Sequence, residues 1–336
     1  MRVAAGKRPL VVRLARSRQE GARSPQGRRR CGKGQTNAER KEGNAPVKRI
    51  VLDFDNTMGV PGCDVDDALA LIYLLGNPQA CTVEAVCTSY GNSDLATVDA
   101  NTRRLFAEWG LDLPIHRGAE GPGQAESDAA RFLAEACAAE PGCLSILVTG
   151  STTNLLGAVA HDPRFFENVA EIVFMGGVTR SLVINGRIMN ELNLSCDPAA
   201  TLAALASSAP KTIATSQNCL AAHVTREAFE TAFAPDSWLA RAIDYWFDDM
   251  GRRYAWDGFA VWDQVAAAAL IKPDLFDPET YPVVLDERFL SVGLLERAWD
   301  GAPQANIQAP RIKDAALYLQ DALAGWKRGC ERLGLA

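Results

Sequence analysis

The chain has 336 residues, 48% of them hydrophobic, and a net charge of −6: enough apolar content for a large core, with no run of about 18 apolar residues to span a membrane. The charge is unevenly spread, with 15 Lys/Arg against 3 Asp/Glu in residues 1–49 and 20 against 38 in the rest. So acidic a remainder argues against specific nucleic-acid binding.

Residues 1–47 have too few aromatic or periodic apolar residues to offset their ordering entropy, and are expected to form a disordered basic tail. Its Arg-rich, acid-poor composition would suit a transit peptide or weak nucleic-acid binding, but an over-long gene start is the preferred reading. Residues 48–336, without a repeat or long linker, are expected to form one domain. The nine cysteines lack CxxC pairs and several lie in apolar runs such as TVEAVCTSY, which predicts reduced, buried thiols in a soluble cytoplasmic protein. His116, His161 and His223 are far apart and are read as structural.

In chain order, strands are predicted at 49–55, 82–90, 113–118, 144–150, 171–177 and 211–216. Helices are predicted at 64–75, 94–109, 125–139, 152–161 and 198–208, with a closing helix at 311–328. This alternation predicts an α/β fold, an open, mostly parallel sheet with helices on both faces, whose functional groups sit at the carboxyl ends of the strands. Four exits carry polar or glycine-bearing turns: Asp55-Asn56, Tyr90-Gly91-Asn92, Thr149-Gly150-Ser151 and Met175-Gly176-Gly177. The segment 237–262 holds four of the seven tryptophans and is read mostly as core and helix packing.

The stretch IVLDFDNTMGVPGCDVDDALALIYLLG, residues 50–76, supports two chemistries. Asp53-Phe-Asp55-Asn-Thr57 looks like the DxDxT signature of haloacid-dehalogenase-type phosphatases, in which Asp53 would be the nucleophile. Asp64, Asp66 and Asp67, at the start of an apolar helix, look instead like a metal site. Capping and the helix dipole account for one carboxylate there, but four near one crevice repel unless a cation or several donors intervene. A cluster of carboxylate oxygens favours Ca²⁺ or Mg²⁺ over a softer metal, which would want a set of His and Cys ligands.

From about residue 48 onward the sequence resembles the inosine-uridine nucleoside hydrolases. The DxDPGxDDxxA pattern is matched by Asp53-Phe-Asp55 and Asp66-Asp67-Ala-Leu-Ala70, TTxxGN by Thr88 to Asn92, and TGPLTN by Thr149 to Asn154. Val173-Phe-Met-Gly-Gly177, Asn185, Asn190-Glu191-Leu-Asn193 with Asp197-Pro198, and Trp262-Asp263-Gln-Val-Ala266 follow in order. The resemblance implies a Rossmann-like nucleoside hydrolase fold and cleavage of ribonucleosides to base and ribose. It implies Ca²⁺ held by Asp55, Asp67, Asp263 and the Thr149 carbonyl, with Asp55 deprotonating the bound water. It further implies ribose contacts from Asp66, Asn92, Asn185, Glu191 and Asn193, an apolar one from Met175, and a homodimer or homotetramer.

Trp262 stands where many members have a catalytic His and a purine-specific subgroup has Trp, which implies purine nucleosides and a base activated by stacking. That subgroup's second Trp has no counterpart in GAEGPGQAESD; Trp246, Tyr254 or Trp256 could replace it, although packing is the first reading of each. Ten residues separate Asp55 from Asp66 where the family pattern has three, so this loop must take its own course and could bring Asp64 into the site. The phosphatase, which would need a well-placed lysine, and a non-catalytic nucleoside or sugar binder are the weaker readings.

Overall fold

A computed structural model of the chain describes residues 47–335, so the predicted tail lies, except for Val47, outside the described residues. The first strand, β1 (Lys48–Phe54), explains the layering. Ile50, Leu52 and Phe54 enter one hydrophobic core while Val51 enters the other, as the two-residue period of a strand requires. Its neighbours β4 (Leu144–Val148) and β5 (Glu171–Met175) divide their side chains in the same way, Leu147 and Val173 to the first core, Ile146 and Ile172 to the second. Strands buried on both faces read as continuous apolar runs, which is why these were visible in the sequence.

With β2 (Cys81–Thr88), β3 (Ile115–His116), the hairpin strands β6 (Leu182–Ile184) and β7 (Arg187–Met189), β8 (Lys211–Ala214), β9 (Thr280–Val284) and β10 (Gln304–Gln308), the strand set is complete enough to give the topology. The eight-stranded sheet has the order β9-β10-β8-β5-β4-β1-β2-β3, and only the β9–β10 pair is antiparallel. After β1 the chain builds outward through β2 and β3, then returns to place β4 on the other side of β1. The crevice between the ends of β1 and β4 is therefore the topological switch point, where such sheets bind ligands.

The longer helices are α1 (Asp66–Leu75), α2 (Leu95–Trp109), α3 (Asp128–Ala139), α4 (Thr153–His161), α5 (Pro198–Ala206), α6 (Trp238–Tyr254), α7 (Trp262–Ile271) and α8 (Ala315–Arg332). The predicted strands and helices are all present, most of them trimmed by one to four residues. The closing helix starts at Ala315 rather than 311, because Arg311–Ile312 pairs with Phe276–Asp277 and Asp314 caps the helix by accepting from the Ala316 and Leu317 N–H groups. Cys81, Cys87, Cys137, Cys219 and Cys330 are buried thiols, as expected. No helix among the described residues is long and apolar enough to cross a membrane.

α1 is wholly apolar after its two aspartates and is buried along nearly its whole length. It packs against α8 through glycine: a Cβ on Gly329 would lie 2.2 Å from the Ile72 carbonyl oxygen, and one on Gly325 would lie 2.3 Å from the Tyr73 ring. Backbones this close leave no room for a methyl group. Gly329→Ala is expected to cost about 1–3 kcal/mol by overpacking. Gly251→Ala, on α6 with nothing within 4 Å, should be neutral or stabilise by up to about 1 kcal/mol through helix propensity. Urea unfolding of the two variants measures the contrast.

Candidate active site

Asp55 follows the end of β1, and its carboxylate fills the switch-point crevice. The Asn92 backbone N–H donates to its Oδ2 at 2.6 Å and the Asn92 side-chain amide to its Oδ1 at 3.1 Å. Two glycines make the space. A Cβ on Gly91 would fall 1.9 Å from Asp55 Oδ2, and one on Gly150 3.0 Å from the Asp55 nitrogen. Two of the glycine turns noted in the sequence thus leave room for Asp55, Gly91 beside its carboxylate and Gly150 beside its backbone and the Ser89 hydroxyl.

Asp66 and Asp67 occupy the first turn of α1 and Asp263 the first turn of α7, so two helix N-termini converge on the crevice with their partial positive charge. The Asp263 backbone N–H donates to Asp66 Oδ2 at 3.2 Å, and the Thr149 hydroxyl to Asp67 Oδ1 at 2.8 Å. Asp263 does not cap a helix beginning at 264: α7 starts at Trp262, with Val261 at its N-cap and no side-chain cap. Asp66, Asp67 and Asp263 each bring a carboxylate oxygen within 4.8 Å of the others. Asp55 joins them through its contact with Asp67.

All four are buried, and among the described residues no Lys or Arg forms a salt bridge with any of them. Burial, the largest influence, raises the pKa of each. For Asp67 the charges of Asp55 and Asp66 add to this, and for Asp263 those of Asp66, Asp67 and Asp55. Asp55 is held to about 6, because its hydrogen bonds with Asp67 and the Asn92 N–H offset part of the burial. A buried, mutually repelling, all-oxygen donor set without a basic partner fits a hard divalent cation.

Above the carboxylates lies a cavity of about 230 Å³. Its lining combines the polar side chains of Asp64, Asp66, Asn92, Thr149, Asn190, Glu191, Asn193 and Asp263 with the apolar and aromatic ones of Met175, Leu182, Met189, Trp246, Met250, Tyr254 and Trp262. Asn193 is anchored deep in the site, its side-chain amide donating to the carbonyls of Thr149 at 2.9 Å and Met175 at 3.1 Å. Glu191 accepts from the backbone N–H groups of Gly177, Leu194 and Ser195, so it braces the turn after it as well as lining the cavity.

Asn185 is not brought to this cavity. It is exposed at the β6–β7 turn with φ 48°, and its amide donates to the Tyr254 and Ala255 carbonyls at the end of α6. Asp53 lies in the sheet and accepts from the Asn154 side chain at 3.0 Å, away from the cavity lining, so it is not placed as a nucleophile. None of the three histidines lines the cavity, and two are ring-stacked, His116 on Phe132 and His223 on Trp256. Ser216, Met250 and Arg253 were not foreseen as lining residues. For the last two, the aromatic segment in which they lie was the available signal.

Buried carboxylates at the switch point of a parallel sheet, beneath an aromatic-walled cavity, place the protein among α/β enzymes of small-molecule chemistry. Sequence comparison narrows this: residues 50–318 match the model of the inosine-uridine preferring nucleoside hydrolase family, and the chain belongs to that family. It is 25% identical over 273 residues to the inosine-uridine preferring nucleoside hydrolase of Crithidia fasciculata, covering 71% of this chain and 84% of the relative. It is 26% identical over 271 residues to a probable uridine nucleosidase 2 of Arabidopsis thaliana, covering 68% and 79%. The solved structure of a purine-preferring ribonucleoside hydrolase from Gardnerella vaginalis shares the fold, with a TM-score of 0.71, 19% identity and coverage of 86% and 100%.

The pKa of Asp55 sets a sign that can be tested. With a folded pKa of about 6 against an ordinary 3.8, the folded cation-free protein binds the extra proton, so Asp55 lowers stability as pH rises through that window. In chelator, Asp55→Asn is therefore expected to be more stable than wild type at pH 7.5, by on the order of 2–3 kcal/mol. The gain should shrink towards pH 4, where the wild-type carboxyl is protonated. Thermal unfolding of both proteins across this range measures the difference.

Proposed function

We propose that the protein hydrolyses the N-glycosidic bond of ribonucleosides, with purine nucleosides preferred, releasing free base and ribose. The observation that carries this reading is a single cavity lined both by carboxylates and by Trp262, Trp246 and Tyr254. A ribose on the carboxylates and a flat base against the aromatic wall would fill it.

In this reading Asp55, Asp67, Asp263 and the Thr149 carbonyl hold a Ca²⁺. Such a cation would offset the repulsion among these carboxylates and would supply Lewis acidity toward the attacking water. Asp55, which a bound cation would keep ionised, accepts the attacking water's proton on a carboxylate oxygen. Asp66 takes ribose hydroxyls, and Asn92, Glu191 and Asn193 orient the sugar, with Met175 as its apolar contact. Asn185 reaches the sugar only on leaving its α6 carbonyls.

As the C–N bond breaks, positive charge grows on the ribose and negative charge on the base. The carboxylates and amide oxygens stabilise the first more strongly than they do the neutral ground state. Indole has no proton to give as an acid, so Trp262 acts by stacking on the base while solvent protonates it. Trp246 extends the wall from α6, in place of the second tryptophan that the loop after β3 lacks. Purine rings cover more of such a wall than pyrimidines do, and this supports the preference.

Wild-type protein incubated with inosine, adenosine, guanosine, uridine and cytidine should release reducing sugar, fastest from the purines and not in chelator. Trp262→Ala is expected to lower kcat/KM for inosine by about 10- to 100-fold, the loss of a stacking contact made as the base leaves. Uridine cleaved faster than every purine would refute the base preference, and no sugar from any nucleoside would refute the reaction.

A further inference from the structure

The ten residues between Asp55 and Asp66 contain no helix or strand, yet they are tied down. The Tyr245 hydroxyl accepts the Gly59 N–H at 3.1 Å and donates to the Cys63 carbonyl at 3.1 Å, so one side chain bridges the outer turn of the loop. Arg253 donates to the Gly62 carbonyl at 2.7 Å and to Asp249 at 2.9 Å. Both belong to α6, which also carries Trp246, Met250 and Tyr254 of the cavity wall. Gly59 and Gly62, at φ 86° and 80°, make the reversals, and the Thr57 hydroxyl closes the loop on the Asp64 carbonyl at 2.9 Å.

We propose that Tyr245 and Arg253 are positioning residues for the acidic centre, holding the 56–65 loop so that Asp55 at its entry and Asp66 and Asp67 at its exit keep the spacing a divalent cation requires. A three-residue connection would fix that spacing by its own shortness. A ten-residue loop has far more conformations, and its ends stay in register only if something outside the loop restrains it. α2 holds the first residues of the loop, with Asn101 and Arg104 donating to the Asn56 and Met58 carbonyls, and α6 holds its outer turn, so cation affinity is tuned from a helix that contributes no carboxylate to the centre. The inference rests on the reading that these carboxylates hold a cation.

The test is direct titration of the chelator-treated full chain with Tb³⁺, followed by emission sensitised by the cavity tryptophans, with Ca²⁺ as competitor. Tyr245→Phe keeps the ring and deletes both loop bonds; Arg253→Met keeps the stem and deletes the bond to Gly62 together with the ion pair to Asp249. Each is expected to weaken cation binding about three- to tenfold, as befits the loss of one or two hydrogen bonds. Tyr73→Phe, which deletes a 2.6 Å hydroxyl bond to Asp321 remote from the cavity, should lower the thermal midpoint and leave cation affinity unchanged.

Affinities of Tyr245→Phe and Arg253→Met within twofold of wild type would overturn the proposal. So would equal weakening in Tyr73→Phe, which would trace the effect to general destabilisation, or a wild-type chain that binds no Tb³⁺. Ribose release from inosine is assayed on the same samples. The expected affinity pattern without ribose release would uphold the positioning role and count against the hydrolase reading alone.

Discussion

Everything in the site depends on four carboxylates being buried together without a basic side chain to neutralise them. Left alone, such groups would take up protons or drive the local structure apart, because ionised oxygens lose solvation and gain only repulsion. The fold limits this cost with what a parallel sheet has to hand: strand ends that offer backbone N–H groups, two helix N-termini aimed at one crevice, and glycines that let carboxylates lie against backbone. None of these supplies a full positive charge. A hard cation does, and the all-oxygen donor set is suited to one.

The same constraint explains the role of α6. A long loop leading into the acidic helix would blur the geometry of the centre unless held from outside, and the helix that bonds the loop at Gly59, Gly62 and Cys63 is also the helix that walls the cavity. Cation geometry and cavity shape therefore share a support. A shift of α6 would move both, whereas the strand-end residues are fixed by sheet register and would move little.

Much of this was legible in the sequence. The buried strands announced themselves as apolar runs, and the strand-end rule with the ordered motifs gathered Asp55, Asp66, Asp67, Asn92, Thr149, Met175, Glu191, Asn193 and Asp263 around one crevice. What escaped depends on tertiary contacts that leave no local pattern. The turn of the short β6–β7 hairpin is bonded to the end of α6 through Asn185, and the only sign of this was a motif position that implied a different use. Asp53 and Asp55 share a side of β1, but Asp53 is within the sheet under Asn154 while Asp55 clears its edge. Two residues of register separate a group held inside the sheet from one in the crevice, and the DFDNT resemblance to a phosphatase could not register that difference. The aromatic segment at 237–262 was read chiefly as packing, and it serves as packing and cavity wall together, because α6 buries Leu239, Ile243 and Phe247 while placing Trp246 and Tyr254 at the cavity.

This division of labour has a consequence for specificity. The carboxylate floor is built from strand ends and first helical turns, where exchanging one side chain removes a charge, a donor or a close approach that nothing nearby can replace. Apart from Met175 at the end of β5 and Trp262 at the start of α7, the apolar lining comes from side chains of a half-exposed helix and a hairpin, where exchanging one aromatic or thioether for another costs mainly packing. Discrimination between bases of different size by apolar contact is worth only about 1–3 kcal/mol, and the wall can vary by that much without touching the floor. On the proposed reading, the choice of base would rest with Trp246, Tyr254 and Trp262, and the cleavage step with the aspartates that share their cavity.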